Sequence, residues 1–149
     1  SITKSVRQGW NLISNPMQAV NDSVKSMYPL AISSAFKYDS SSGYKSADIL
    51  ENGNGYWLKF SSAGDVLLKG IPQLYTEVSL SKGWNLIGSI SDTVAVSDVF
   101  TDPPSIMISQ FYGYSGFYEI VNSLVPGSGY WIKVQQSGKL ILNSTVKKK

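Results

Sequence analysis

The chain has 149 residues, 42% of them hydrophobic and only 15% charged, against roughly 25% charged in an average soluble protein. It holds no cysteine and no histidine, which excludes disulfides and thiolate chemistry and removes the commonest general base and transition-metal ligand. The formal net charge of +3 resides in Lys147, Lys148 and Lys149, and the rest of the chain carries 10 basic and 10 acidic side chains; there is no distributed basic field for nucleic acid, and three lysines are too short a run for a nucleic-acid or membrane patch.

In chain order, residues 2–6 read as a short strand and 7–9 as a turn. Residues 10–14 read as a second strand, with apolar Trp10, Leu12 and Ile13, broken by Asn15-Pro16. Asp22 or Ser23 caps a short helix with Val24, Met27 and Tyr28 on one face, ended by Pro29. Residues 31–38 and 44–47 form a hairpin around Asp39-Ser40-Ser41-Ser42-Gly43. After the turn chemistry of Asn52-Gly53-Asn54-Gly55, residues 56–60 and 65–69 form a further strand pair.

The same order then starts again. Gly9-Trp10-Asn11-Leu12-Ile13 returns as Gly83-Trp84-Asn85-Leu86-Ile87, 74 residues on, and Gly55-Tyr56-Trp57-Leu58-Lys59 returns as Gly129-Tyr130-Trp131-Ile132-Lys133 at the same offset. Gly64 and Gly138 keep it too. Three anchors at one spacing mark a duplication, with repeats at 1–74 and 75–149. The second copy predicts a helix capped by Asp92 or Thr93 that carries Val96, Val99 and Phe100, and a hairpin of 106–112 and 117–121. Between the anchors the copies slip by a residue or two, around the helix and the hairpin loop.

About 74 residues with short strands and one two-turn helix leave exposed sheet edges. The expected fold is therefore mainly β (α+β with one short helix per repeat). Two pseudo-twofold repeats are expected to pack as one antiparallel β-sandwich or barrel-like domain with a shared core, an arrangement open to strands crossing between halves; the alternative is two small domains in tandem with a break near Ile71–Leu74.

The motifs have structural uses. Glycine before Trp10 and Trp84 permits a left-handed or bulged backbone. The indole buries a large area, so Trp10 and Trp84 are expected as equivalent wedges in the core. Strand alternation places Tyr56, Leu58 and Phe60 on one face and Trp57 and Lys59 on the other, and splits Tyr130, Ile132 and Val134 from Trp131 and Lys133 likewise. On that second face Lys59 is expected to cover Trp57, and Lys133 to cover Trp131. The first expectation for that face is cover by neighbouring elements; the candidates for contact with a partner are Trp57 and Trp131 with the hairpin tyrosines Tyr38, Tyr44, Tyr112, Tyr114 and Tyr118.

Chemistry is sparse. Asp48 and Glu51 are close in sequence, but their counterparts are Asn122 and Val125; Asp92, Asp98 and Asp102 cluster in one copy only and fit helix capping. No nucleophile elbow or phosphate-binding glycine pattern occurs, and the loop at Asp39 lacks the spaced acidic ligands of a calcium site. No catalytic residue, cofactor or metal is expected. Two sequons, at Asn21 and Asn143, matter only where glycosylation machinery is met.

The paired motifs resemble a tandem repeat of secreted and cell-surface bacterial proteins, found beside sorting, fibronectin-like and immunoglobulin-like modules. The likeness spans the whole chain and implies an extracellular, non-enzymatic module. A polar, uncharged surface with 25 serines fits that setting. The expected activity is structural or adhesive, through protein partners or copies of itself, including assembly into a surface filament or layer. The alternative is a glycan-binding module using surface Trp and Tyr. It requires two or more aromatics lying flat and coplanar on one exposed face. Neither a nucleic acid nor a membrane span is expected.

Overall fold

The structure is a computed structural model that describes residues 1–144; the lysines at 147–149 lie outside the described residues. It is mainly β, a sandwich of antiparallel sheets without a closed barrel.

Both repeats build the same four-stranded sheet. In the first, the spatial order is Gly9–Ser14, Gly55–Phe60, Ala35–Asp39, Gly43–Ala47; in the second it is Gly83–Ile87, Tyr130–Val134, Tyr112–Tyr114, Tyr118–Ile120. Each repeat also pairs its first strand with the strand that opens on the repeated glycine, Ile2–Val6 with Gly64–Leu68 and Tyr75–Leu80 with Gly138–Asn143. Every named strand pairs within its own repeat, so strands do not cross between halves.

The repeated asparagine fixes the turn into each Trp strand. Asn11 accepts from the Arg7 N–H and donates to the carbonyls of Arg7 and Gly9, and Asn85 does the same with Ser81 and Gly83. One side chain thereby satisfies three backbone groups that the turn leaves open. The preceding glycines, Gly9 and Gly83, have φ of 93° and 101°, a conformation that excludes most side chains. The repeated tyrosines act as struts: Tyr56 and Tyr130 accept, through their hydroxyls, from the N–H groups of Glu51 and Val125.

In the first repeat the helix is Val24–Met27, and the Ser23 side chain caps it by accepting from the Ser26 N–H. The second repeat has only a 3-10 turn, Val96–Asp98, preceded by Ala95 with no side-chain cap. The cap expected from Asp92 or Thr93 fails because Val94 and Ala95 are drawn into a ladder with Ser123 and Leu124. Asp92 instead accepts from the Ser144 hydroxyl.

Most of the core is divided between the repeats, and only a smaller part is shared. Ile13, Tyr28, Leu50, Tyr56, Leu58 and Phe60 belong to a cluster inside the first repeat. Ile87, Ile90, Phe111, Leu124, Tyr130 and Ile132 belong to a separate one inside the second. A third cluster lies between the repeats: Leu12, Leu86 and Trp131, with Tyr38, Trp57, Tyr112 and Tyr114 against them. Strand alternation makes this division. Along Gly9–Ser14, Ile13 faces its own repeat while Leu12 faces the other one.

The seam between repeats is a symmetric backbone junction. Ser14 N–H donates to the Gly127 carbonyl and Gly88 N–H to the Gly53 carbonyl, both at 2.9 Å. Each residue in the second bond is 74 positions from its partner in the first. A Cβ on Gly55 would sit 2.6 Å from the Ile87 carbonyl oxygen, and one on Gly129 3.3 Å from the Gly55 Cα. The glycine of each Gly-Tyr-Trp motif is thus required because two backbones abut there.

Candidate binding surface

The faces of the two four-stranded sheets that turn away from the repeat cores converge on an aromatic surface. Tyr38 meets Trp131 edge-on at 5.0 Å between ring centroids, and Trp57 meets Tyr114 at 4.9 Å. Within each hairpin, Tyr38 meets Tyr44 at 5.1 Å and Tyr114 meets Tyr118 at 5.2 Å. Trp10 tilts against Phe36, and Trp84 against Tyr112, both at 6.1 Å.

These pairs establish the equivalences. Phe36 stands opposite Trp57 in the ladder as Tyr112 does opposite Trp131. Phe36 therefore corresponds to Tyr112 and Tyr38 to Tyr114, an offset of 76. Tyr44 and Tyr118 return to 74 because the second hairpin loop is two residues shorter.

Two open grooves result. Tyr38, Tyr44, Trp84, Tyr112, Tyr118 and Trp131 line one of about 420 Å³. Trp10, Phe36, Tyr44, Trp57, Tyr114 and Tyr118 line the other, of about 540 Å³. Under the equivalences above, the two sets map onto each other residue for residue. Tyr44 and Tyr118 belong to both grooves.

All seven aromatics singled out from the sequence meet here, but Trp131, a candidate for contact with a partner, is buried between the repeats. The motif tryptophans, expected in the core, meet here too: Trp10 and Trp84 are 40% and 37% exposed. They lie on the side of the strand opposite Ile13 and Ile87. The expected lysine contacts are also redirected. Lys59 stands over Trp10 at 5.8 Å and Lys133 over Trp84 at 5.9 Å, because cross-strand register sets each lysine directly opposite that Trp. Phe36, Trp10 and Trp84 join the seven; the sequence signal for Trp10 is the alternation that separates it from Ile13.

The symmetry breaks at the indole N–H groups. Trp57 Nε1 donates to the Tyr44 hydroxyl at 3.3 Å. The equivalent Trp131 Nε1 is buried without a hydrogen bond of normal geometry, although its N–H lies close enough to the Tyr118 hydroxyl to favour the phenolate. Burial outweighs that effect and pushes Tyr118 above the ordinary tyrosine range, with Tyr44 adding to the rise.

The chain matches no protein-family model, no curated protein and no solved structure. Its function therefore has to be read from the site.

The acidic residues do not gather into a site. No group of three or more acidic side chains suited to a metal occurs among the described residues. Asp39 spends its carboxylate on its own loop, accepting from the N–H and hydroxyl of Ser41 at 2.8 and 2.6 Å; the Ser41 hydroxyl holds its pKa below the usual range. Among the described residues, the ion pair is Lys139 with Glu77 at 3.2 Å. No helix there is long and apolar enough to cross a membrane. Of the two sequons, Asn21 is exposed and accepts from the Ser23 N–H in a turn. Asn143 sits in a strand paired with Tyr75, and its sequon threonine, at 145, lies outside the described residues.

Proposed function

We propose that this protein is a non-catalytic, secreted or cell-surface module that adheres to protein chains through its paired aromatic grooves. The observation that carries this reading is the six-for-six correspondence of the grooves. Aromatic rings supply large apolar area at low conformational cost, which suits contact surfaces. Rings left partly exposed in both copies, Trp10 with Trp84 and Tyr44 with Tyr118, are read as a surface kept for contact. A chain without histidine or cysteine, whose carboxylates serve turns and surface pairs, supports binding over catalysis.

Self-association is the sharper form of the same reading. Gly43–Ala47 and Tyr118–Ile120 end their sheets as edge strands, and Phe117, Tyr118 and Ile120 are exposed there. Such an edge is a template for another strand. Light scattering across a concentration series tests this form, and a monomer at every concentration would sink it.

Glycan binding is supported by the half-exposed Trp10 and Trp84. The other rings favour it less. Contacting pairs are inclined at 58° to 87°, so no coplanar platform forms among them.

The test is titration of the full chain with a peptide library and with oligosaccharides, followed by the indole N–H resonances of the four tryptophans. Peptides are expected to shift them. Shifts from oligosaccharides alone would favour the glycan reading, and no shift from either class would overturn a groove-based function.

A further inference from the structure

We infer that each groove takes a proline-rich segment in the polyproline II conformation, an inference that rests on the adhesive reading above and gives it a ligand class. Four features of the grooves point the same way.

The first is shape. Rings that meet edge-on leave notches between them. Trp57 and Tyr114 are inclined at 78°, Tyr38 and Trp131 at 73°, and Trp84 and Trp131 at 87°. A proline ring fits a notch between aromatic rings, whereas a pyranose needs a flat face. The second is hydrogen-bonding capacity. No carboxylate, carboxamide or aliphatic side chain lines either groove. The inner indoles are not free to donate, since Trp57 Nε1 is engaged by Tyr44 and Trp131 Nε1 is buried; the polar groups available are phenolic hydroxyls and, over the outer Trp of each groove, a lysine ammonium. A polyproline II segment offers unpaired carbonyls and few N–H groups, so it complements these phenolic and ammonium donors. Sugar hydroxyls call for acceptors as well, and only the phenols supply them here.

The third is charge. Lys59 and Lys133 already occupy the cation–π positions on Trp10 and Trp84. A cationic ligand would meet like charge there, so the aromatic walls are not a cage for quaternary ammonium. A neutral or acidic proline-rich segment meets no such repulsion. The fourth is entropy. The grooves are open, so little buried area is available to offset ordering of a flexible chain. Polyproline II is ordered before it binds.

The experiment uses the full chain and three probes: an oligoproline of about nine residues (three turns), a Gly/Ser peptide of the same length, and a linear β-glucan oligosaccharide. Indole N–H resonances of Trp10, Trp57, Trp84 and Trp131 are followed during titration. Oligoproline is expected to shift indoles of both grooves and to bind at least about tenfold more tightly than the Gly/Ser peptide. Trp84→Ala is expected to abolish the Trp131 response and to leave Trp10 and Trp57 responsive, and Trp10→Ala to do the converse. Gly/Ser binding as tight as oligoproline overturns the proline inference and leaves the adhesive reading standing. A response to the oligosaccharide alone overturns it in favour of glycan. Silence of all four indoles towards all three probes removes the inference and the groove as a site. The wild-type titration decides between these outcomes even if a Trp variant does not fold.

Discussion

The hydroxyl of Ser14 lies 3.1 Å from that of Ser89, both of them buried between the repeats. The pair ties three chain segments together. Ser14 donates to the Ser128 carbonyl at 2.8 Å, and Ser89 accepts from the Gly127 N–H at 3.0 Å. Replacing Ser89 with alanine leaves that N–H without its side-chain acceptor in a buried place. A loss of about 1–3 kcal/mol is expected, read as a lower urea midpoint at unchanged slope. A second transition in the variant would show that the repeats unfold separately once the junction is weakened.

Gly55 and Gly64 are both repeated glycines, yet the structure gives them opposite weights. A Cβ on Gly55 meets the Ile87 carbonyl oxygen at 2.6 Å, while one on Gly64 meets nothing within 4 Å. Gly55→Ala is expected to destabilise by about 1–3 kcal/mol through overpacking. Gly64→Ala is expected to be neutral or to stabilise by up to about 1 kcal/mol, by restricting the unfolded chain. At the equivalent of Gly64, a Cβ on Gly138 would sit 2.6 Å from the Asp102 carbonyl oxygen, so Gly138→Ala is expected to behave like Gly55→Ala. Thermal melts of the three variants check this order.

How far the fold was legible follows from what each signal reports. A 74-residue offset in three motifs exposed the duplication, and strand alternation correctly divided Tyr56 and Leu58 from Trp57. Alternation alone does not say which side of a strand is interior when both sides are apolar, as with Leu12 and Ile13. That is why Trp10 and Trp84 were expected inside. The partners of Lys59 and Lys133 depend on cross-strand register, which one strand read alone does not contain. Tyr38 and Tyr112 sit at the 74 offset, yet the equivalent of Tyr38 is Tyr114. An insertion before the hairpin strand and a shorter loop after it cancel, so the repeat period conceals the shift. The second helix was lost because Val94 and Ala95 pair in a ladder with a segment far along the chain.

Tyr28 makes stability fall in alkali. Its side chain is buried and its hydroxyl donates to the Ser14 carbonyl at 2.9 Å. Burial pushes its pKa well above the ordinary value of 10.0. The folded state thus keeps a proton that the unfolded state releases. The contribution to stability is complete below pH 10 and is lost as pH rises beyond it, by up to about 1.4 kcal/mol per pH unit. Tyr56 and Tyr130, also raised by burial, act in the same direction. Unfolding free energies measured on either side of pH 10 should fall only on the alkaline side, and phenolate absorbance from Tyr28 should appear together with unfolding. Phenolate formation by all nine tyrosines in a chain that keeps its native circular dichroism would contradict this.

Lys133 bears on the groove through its charge and its stem separately. The ammonium stands 5.9 Å from the Trp84 ring centroid, and the stem crosses to it from the neighbouring strand. Lys133→Met keeps an unbranched apolar stem and removes the charge. Its cost is expected at about 0.5–1 kcal/mol, the range for an exposed cation–π contact. Lys133→Ala also uncovers the indole, so it should cost more and shift Trp84 fluorescence towards that of a solvated ring. Stability and emission of the two variants separate the effects. Equal losses in both would place the whole contribution in the charge, and no loss in Lys133→Met would place it in the stem.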